Sequence, residues 1–155
     1  MKIQHGDLFA PTSDVDAILI PTNGYIRKDG ACVMGRGVAK WSTELWPGIQ
    51  YELGREIELC GNVVNYLEER EFPNKQICRV YSFPVKHNWW EDADINLITR
   101  SAKQVVQRAN NAKWGEIWLP AVGCGNGKLS WPDVVKPVLS EILDDKFIVI
   151  FRERR

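Results

Sequence analysis

Two glycine-rich loops, each leaving an apolar strand and running towards a helix, constrain this chain more than any other feature of its sequence. The first covers residues 30–37 (GACVMGRG) and follows the apolar run Ala17-Ile18-Leu19-Ile20-Pro21. The second covers residues 123–127 (GCGNG) and follows Ile117-Trp118-Leu119-Pro120. Glycine reaches positive φ without steric cost and lets backbone approach a ligand closely. A helix start beyond such a loop offers unpaired N–H groups and a partial positive charge. Two cradles of this kind in one small chain suit a nucleotide-type ligand with a pyrophosphate at its centre. Neither loop is a Walker A motif, since Gly127-Lys128-Leu129 breaks G-x-x-x-x-G-K-[ST], and neither fits G-x-G-x-x-G.

The flanking periodicities define the rest of the fold. Short strands are predicted over 1–5, 62–67 and 77–83, with a polar turn over 68–75 between the last two. Stronger apolar runs over 16–21 and 116–121 read as strands buried on both faces, and 146–151 closes the chain as a strand. A helix is predicted over 38–46, with Val38, Trp41 and Leu45 on one side and Pro47-Gly48 as its stop. A second runs over 49–59, with Ile49, Leu53 and Ile57 stacked at four-residue spacing. A long helix over 92–111 carries Ile95, Ile98, Ala102, Val105 and Ala109 on its apolar face, and a last one covers 131–143, with Ser130 as N-cap and Pro132 in the first turn. Buried strands separated by helices imply an α/β fold, a three-layer α/β/α sandwich. Ligands of such folds gather at the carboxyl ends of the strands, where both glycine loops fall.

At 155 residues the chain has the size of one domain, residues 1–155. No apolar stretch approaches the length of a membrane helix and no signal peptide opens the sequence, so no membrane role is expected. The 20 basic side chains balance the 20 acidic ones. Basic residues form only small patches: Arg27-Lys28, Arg36, Lys40 and the tail Arg152-Glu153-Arg154-Arg155. Extended nucleic-acid binding by phosphate neutralisation is therefore disfavoured, whereas contact with a modified end or base is compatible with this balance. The cysteines Cys32, Cys60, Cys78 and Cys124 form no C-x-x-C pair and stand at no zinc-like spacing from His5 or His87. They read as reduced thiols in a cytoplasmic compartment, and no metal is expected. The seven tryptophans suit a core or the wall of a cleft for a flat ligand.

Several side chains near the strand ends carry two readings each. Asp7 is either a turn residue or a carboxylate accepting from an exocyclic amine such as adenine N6. Asn23 is either a turn residue or a donor to a sugar hydroxyl. Phe151 is either core or a stacking wall for an aromatic base. Lys86, in Phe83-Pro84-Val85-Lys86-His87-Asn88-Trp89, is on composition a solvated charge. Pro84 stiffens its loop, however, and Trp89 and Trp90 stand near enough in sequence to desolvate the amine. A lysine so placed has a lowered pKa and can act as nucleophile or base. His87 reads as a surface histidine. Cys124 has no base tied to it by sequence and reads as a small side chain tucked under the second loop.

The motifs together resemble those of the macro domain family. Gly6-Asp7-Leu8-Phe9 is similar to the family's G-D-[IL] opening, and Asp16-Ala17-Ile18-Leu19-Ile20-Pro21-Thr22-Asn23 to its D-A-[IV]-V-N-x-x-N strand end. Met34-Gly35-Arg36-Gly37-Val38-Ala39 resembles the first loop of one branch, M-G-x-G-[IV]-A. Phe83-Pro84-Val85-Lys86 resembles that branch's F-P-T-K, and the stretch 119–131 (LPAVGCGNGKLSW) its second loop with the trailing L-x-W. The branch holds the DNA ADP-ribosyl glycohydrolase antitoxins and the terminal ADP-ribose protein glycohydrolase. Single motifs of this kind are permissive, but five in order over nearly the whole chain are specific.

The resemblance implies a mixed, mostly parallel central sheet and an ADP-ribose pocket. Asp7 and Leu8 would meet adenine, with Phe151 stacking near it. Met34, Gly35, Arg36, Gly37 and Val38 in one loop, and Gly123, Cys124, Gly125, Asn126 and Gly127 in the other, would hold the diphosphate and distal ribose. Asn23 would touch that ribose, and Lys86 matches the branch's catalytic lysine, which attacks or polarises its anomeric carbon. The expected activity is removal of ADP-ribose from a modified target by a monomer that needs no cofactor. Phosphate release from ADP-ribose 1″-phosphate, and binding of ADP-ribose or an NAD-derived nucleotide without turnover, are the alternatives. Two departures matter. Val85 replaces the threonine of F-P-T-K, and Gly127 stands where the protein-directed glycohydrolase has an aspartate, whereas the DNA-directed antitoxins have glycine there. Residues 25–30 lengthen the first loop at the end where substrate identity is decided.

Overall fold

A computed structural model describes residues 1–152; of the basic tail, Glu153, Arg154 and Arg155 lie outside the described residues. The strands are β1 (Lys2–Gly6), β2 (Ala17–Thr22), β3 (Tyr66–Glu71), β4 (Ile77–Pro84), β5 (Ile117–Pro120) and β6 (Phe147–Arg152). They form one sheet in the order β1-β6-β5-β2-β4-β3. All neighbours are parallel except β3, which runs antiparallel to β4. The mixed, mostly parallel sheet of the sequence reading is thus present.

Helices α1 (Gly37–Leu45) and α2 (Ile49–Cys60) cover one face, and α3 (Ile95–Ala112) and α4 (Lys136–Ile142) the other. Strand alternation assigns the faces. Ala17 and Leu19 of β2 pack with Ile98, Ala102, Val105 and Leu139. Ile18 and Ile20 pack with Ile49, Leu53 and Ile57. An apolar layer covers each face of β2, which is why the strand reads as a continuous hydrophobic run.

The structure moves several predicted boundaries. Residues 62–65 are not strand, and β3 occupies Tyr66–Glu71, part of the expected turn. The chain turns over only between β3 and β4, where Phe72 and Gln76 are joined by a 2.8 Å backbone bond. Helix α3 starts at Ile95, because Asp94 caps it by accepting from the Asn96 N–H at 2.8 Å. The last helix is divided into a π-helical turn over Trp131–Val135, capped by Ser130, and then α4.

Gly54 of α2 fixes how this helix meets the first loop. A Cβ there would stand 1.9 Å from the Gly30 carbonyl oxygen and 3.2 Å from the Cys32 nitrogen. Glycine to alanine inside a helix normally gains about 1 kcal/mol. Here Gly54→Ala is expected to cost about 3 kcal/mol instead, through overpacking against backbone. A thermal melt should show Tm lowered by roughly 6–12 °C for a chain of this size.

Candidate functional site

The sheet order determines the order of everything at its carboxyl edge. Reading across β1, β6, β5, β2 and β4, the strand ends deliver Asp7, Phe151, the loop 123–127, Asn23 and Lys86. With strands about 4.8 Å apart, this row spans about 19 Å, room for a base, a sugar, a diphosphate and a second sugar end to end. The row floors a groove of about 1560 Å³. Volumes of about 300–1000 Å³ are usual for small-molecule pockets, so the groove also has space for part of what the ligand is attached to.

The two loops meet in the middle. Gly37 has φ +58°, and a Cβ on it would lie 3.9 Å from the Asn126 side-chain nitrogen. Arg36 is the N-cap of α1 in extended conformation and makes no side-chain cap, so the helix presents its first N–H groups uncapped. Among the described residues, no protein acceptor receives the N–H groups of Gly35, Arg36 or Gly37, or those of residues 123–127. The loops differ in one respect. The helix beyond the second is already capped, since the Ser130 hydroxyl accepts from the Asp133 N–H at 3.2 Å. The donors offered there are those of the loop itself, not of a helix start. The loop is held in shape by Leu129 N–H to Gly123 O at 3.0 Å and Ala93 N–H to Gly127 O at 2.9 Å. Gly123 takes φ +76°, a conformation that favours glycine.

Lys86 lies half-buried just past β4. Its Nζ donates to the Asn126 carbonyl at 3.1 Å and the Trp89 carbonyl at 3.4 Å, so the amine is anchored to the second glycine loop. Burial lowers its pKa, and the positive charges of Lys128 and Arg36 add to the lowering while Asp92 opposes it. Trp89 reaches the amine through its carbonyl; the Trp89 and Trp90 rings are exposed. His87 points elsewhere, its Nε2 3.0 Å from Asp94 Oδ2.

The other expected residues are placed as follows. Asp7 Oδ1 accepts from the Phe9 N–H at 2.9 Å, the bond of a turn residue, and Asp7 also lines the groove. Asn23 is engaged at both ends of its amide: Nδ2 donates to Val33 O at 2.8 Å and Oδ1 accepts from Tyr25 N–H at 3.0 Å. It shapes the first loop from within. Phe151 packs on the core and also lines the groove, with Trp131 edge-on at 5.4 Å. Leu8, Met34, Gly35, Arg36, Gly37, Val38, Gly123, Gly125, Asn126 and Gly127 all line it. Cys124 does not. Its Sγ donates to Val122 O at 3.3 Å, it packs against the core under the loop, and burial pushes its thiol up to about 11.

Sequence reasoning missed other groove residues. Trp41 and Leu45, expected on one side of α1 with Val38, line the groove as well, Trp41 packing at the same time against the core, and the Arg152 guanidinium lies 4.2 Å from the centre of the Trp41 ring. Residues 25–30 fold back through a bridge between Ile26 and Cys32, which brings Tyr25 and Arg27 to the Lys86 end, where Tyr25 meets Trp90 edge-on at 5.3 Å. The Thr22 hydroxyl was also unforeseen: Thr22 is 5% exposed, lines the groove, and its Oγ1 has no hydrogen-bond partner in the protein. A buried hydroxyl left so costs about 1–3 kcal/mol, which a polar ligand atom would recover.

This sheet, with its groove at the carboxyl edge, is a macro-domain fold. The family model of the macro domain matches residues 67–138, and the resemblance drawn from the five motifs is borne out. Over 65 residues, 42% of this chain, it is 32% identical to the DNA ADP-ribosyl glycohydrolase of Thermus aquaticus. The matched stretch is 18% of that protein's length. Among solved structures, the macrodomain of Thermus aquaticus DarG is similar with a TM-score of 0.72 and 23% identity, over 98% of this chain and 97% of that one. Thermosipho africanus DarTG in complex with ADP-ribose is similar with a TM-score of 0.76 and 23% identity, over 99% of this chain and 42% of that one.

Proposed function

We propose that this chain binds ADP-ribose along the row of strand ends and cleaves it from a modified target, with Lys86 acting at the anomeric carbon of the distal ribose. The observation that carries this reading is the bond from Lys86 Nζ to the Asn126 carbonyl. It fixes the one amine with a lowered pKa beside the loop whose free N–H groups suit a diphosphate. Adenine would lie at the Asp7 and Phe151 end, and the reacting bond at the Lys86 end among Tyr25, Trp89 and Trp90. Holding the sugar at a fixed distance from the amine supplies orientation. The relative named for DNA ADP-ribosyl glycohydrolase activity, that of Thermus aquaticus, supports a DNA-linked substrate. The four free thiols suit a reducing, cytoplasmic compartment.

Binding without turnover is the second reading, favoured by the absence of a carboxylate at Gly127. Both readings require ADP-ribose affinity. Saturation at 100 Kd should stabilise the fold by about 2.7 kcal/mol and raise Tm by roughly 5–10 °C. A melt without this shift, together with a titration without heat, would remove both. To separate them, ADP-ribosylated DNA, ADP-ribosylated protein and ADP-ribose 1″-phosphate are incubated with the protein and assayed for free ADP-ribose and phosphate. Release of ADP-ribose from one of the first two is the expected result.

A further inference from the structure

Cleavage of a glycosidic bond needs a group that moves protons, because the nucleophile must lose one and the leaving atom must gain one. Position 127 does not supply it and has no space for it. A Cβ there would lie 2.4 Å from the Gly123 carbonyl oxygen and 2.8 Å from the Ala93 Cβ. The second contact shows what stands opposite: the segment that carries Asp92 is packed directly against Gly127.

That segment is tied on both sides. The Ala93 N–H donates to Gly127 O and the Asp94 N–H to Val85 O, each at 2.9 Å. Asp92 is thereby held between the second glycine loop and the residue before Lys86. It lines the groove, and its only ionic neighbour among the described residues is Lys128, with Nζ 3.9 Å from Oδ1. The other carboxylates of the groove are less suited. Asp7 belongs to the far end of the row. Glu44 is on α1. The Glu91 Oε1 is occupied by the Asn88 amide at 2.7 Å. Asp92 is also the negative charge that acts on the Lys86 amine, against the positive charges of Lys128 and Arg36.

Resting on the hydrolase reading above, we infer that Asp92 is the proton carrier of the site, taking the proton that the Lys86 ammonium loses and passing it to the departing atom of the target. The balance is as follows. Lys86 and Asp92 form no direct ion pair, so the carboxylate accepts one proton from Nζ through a solvent water. The freed lone pair forms the bond to the anomeric carbon while the bond to the target breaks, its electron pair leaving with the target. The target's departing atom takes the proton from the Asp92 carboxyl. Water then adds its oxygen to the anomeric carbon, the nitrogen–carbon bond breaks with its pair on Nζ, and the amine regains a proton from that water.

The test compares wild type, Asp92→Asn and Lys86→Ala on two substrates. One is the modified target turned over in the panel. The other is ADP-ribose joined at the same carbon to 4-nitrophenol, whose anion leaves without needing a proton. Asp92 is exposed, so the fold should survive; an unchanged melt and ADP-ribose titration check this. Asp92→Asn is expected to lower kcat about 10²-fold on the first substrate and less than about fivefold on the second, where solvent takes the Lys86 proton and no departing atom needs one, whereas Lys86→Ala lowers both. Equal losses on the two substrates, or no loss on either, would overturn the role of Asp92 alone. A wild type inert on both would overturn the hydrolase reading and this inference with it.

Discussion

Lys86→Ala is expected to cut release of ADP-ribose by at least about 10³-fold while leaving affinity for free ADP-ribose within about threefold. The split follows from where the side chain sits. Nζ spends its hydrogen bonds on two protein carbonyls, Asn126 and Trp89, at the sugar end of the groove. The donors suited to the diphosphate are backbone N–H groups that do not depend on it. Single-turnover rates with calorimetry on the same samples read both quantities. The pH profile reports the protonation state used. Burial lowers the Lys86 pKa from its ordinary value, so the neutral amine is already more abundant below pH 10.4 than for a free lysine. On the 4-nitrophenyl substrate, whose departing atom needs no proton, a lysine acting as nucleophile works from its neutral form, and the rate should rise with pH through that lowered pKa and level off above it. A lysine acting only as a positive charge would give the opposite slope over the same interval.

Gly127→Ala should be nearly as damaging, by a different route. Its Cβ would meet Gly123 backbone at 2.4 Å, which no side-chain rotation relieves. The loop must open, breaking the pair of bonds from Leu129 to Gly123 and from Ala93 to Gly127. ADP-ribose affinity is expected to fall by about 10²-fold, or about 2.7 kcal/mol, and the folded state to lose a further 2–4 kcal/mol or so. Gly127→Asp should behave the same way and should not install a working carboxylate. Gly125→Ala, where a Cβ meets nothing within 4 Å, should leave the melt unchanged. If Gly127→Ala binds ADP-ribose as wild type does, the second loop is not what holds the ligand.

The parts of the fold legible in the sequence were those where burial and period coincide. Ile18 and Ile20 on one face of β2 and Ala17 and Leu19 on the other leave no polar position in the run. β3 was misplaced because it is an edge strand. Its charged residues Glu68, Glu69, Arg70 and Glu71 face solvent in part, and Glu68 takes φ 72° at a register shift, so the stretch looks like a turn. Helix α1 was recognised, but its apolar side is shared between the core and the groove. A periodic apolar stripe says that a surface is covered, not whether core or ligand covers it. In the site, glycines at strand ends announced themselves. Tyr25 and Arg27 were marked only through the lengthened segment 25–30, and Thr22 and Asp92 not at all, because nothing local marks a loop residue whose importance comes from residues far along the chain. Cys124 was included only as part of its loop, and the structure turns its sulfur inward.

The first strand is the outermost of the parallel set: β1 is hydrogen-bonded to β6 on one side only, and most of its residues are solvent-exposed. Such a border ribbon is the part of the sheet most easily peeled away. Asp7 hangs from its last residue. Whatever molecule grips that carboxylate therefore also ties down one border of the sheet, and part of its binding energy is spent on keeping the amino-terminal ribbon in place.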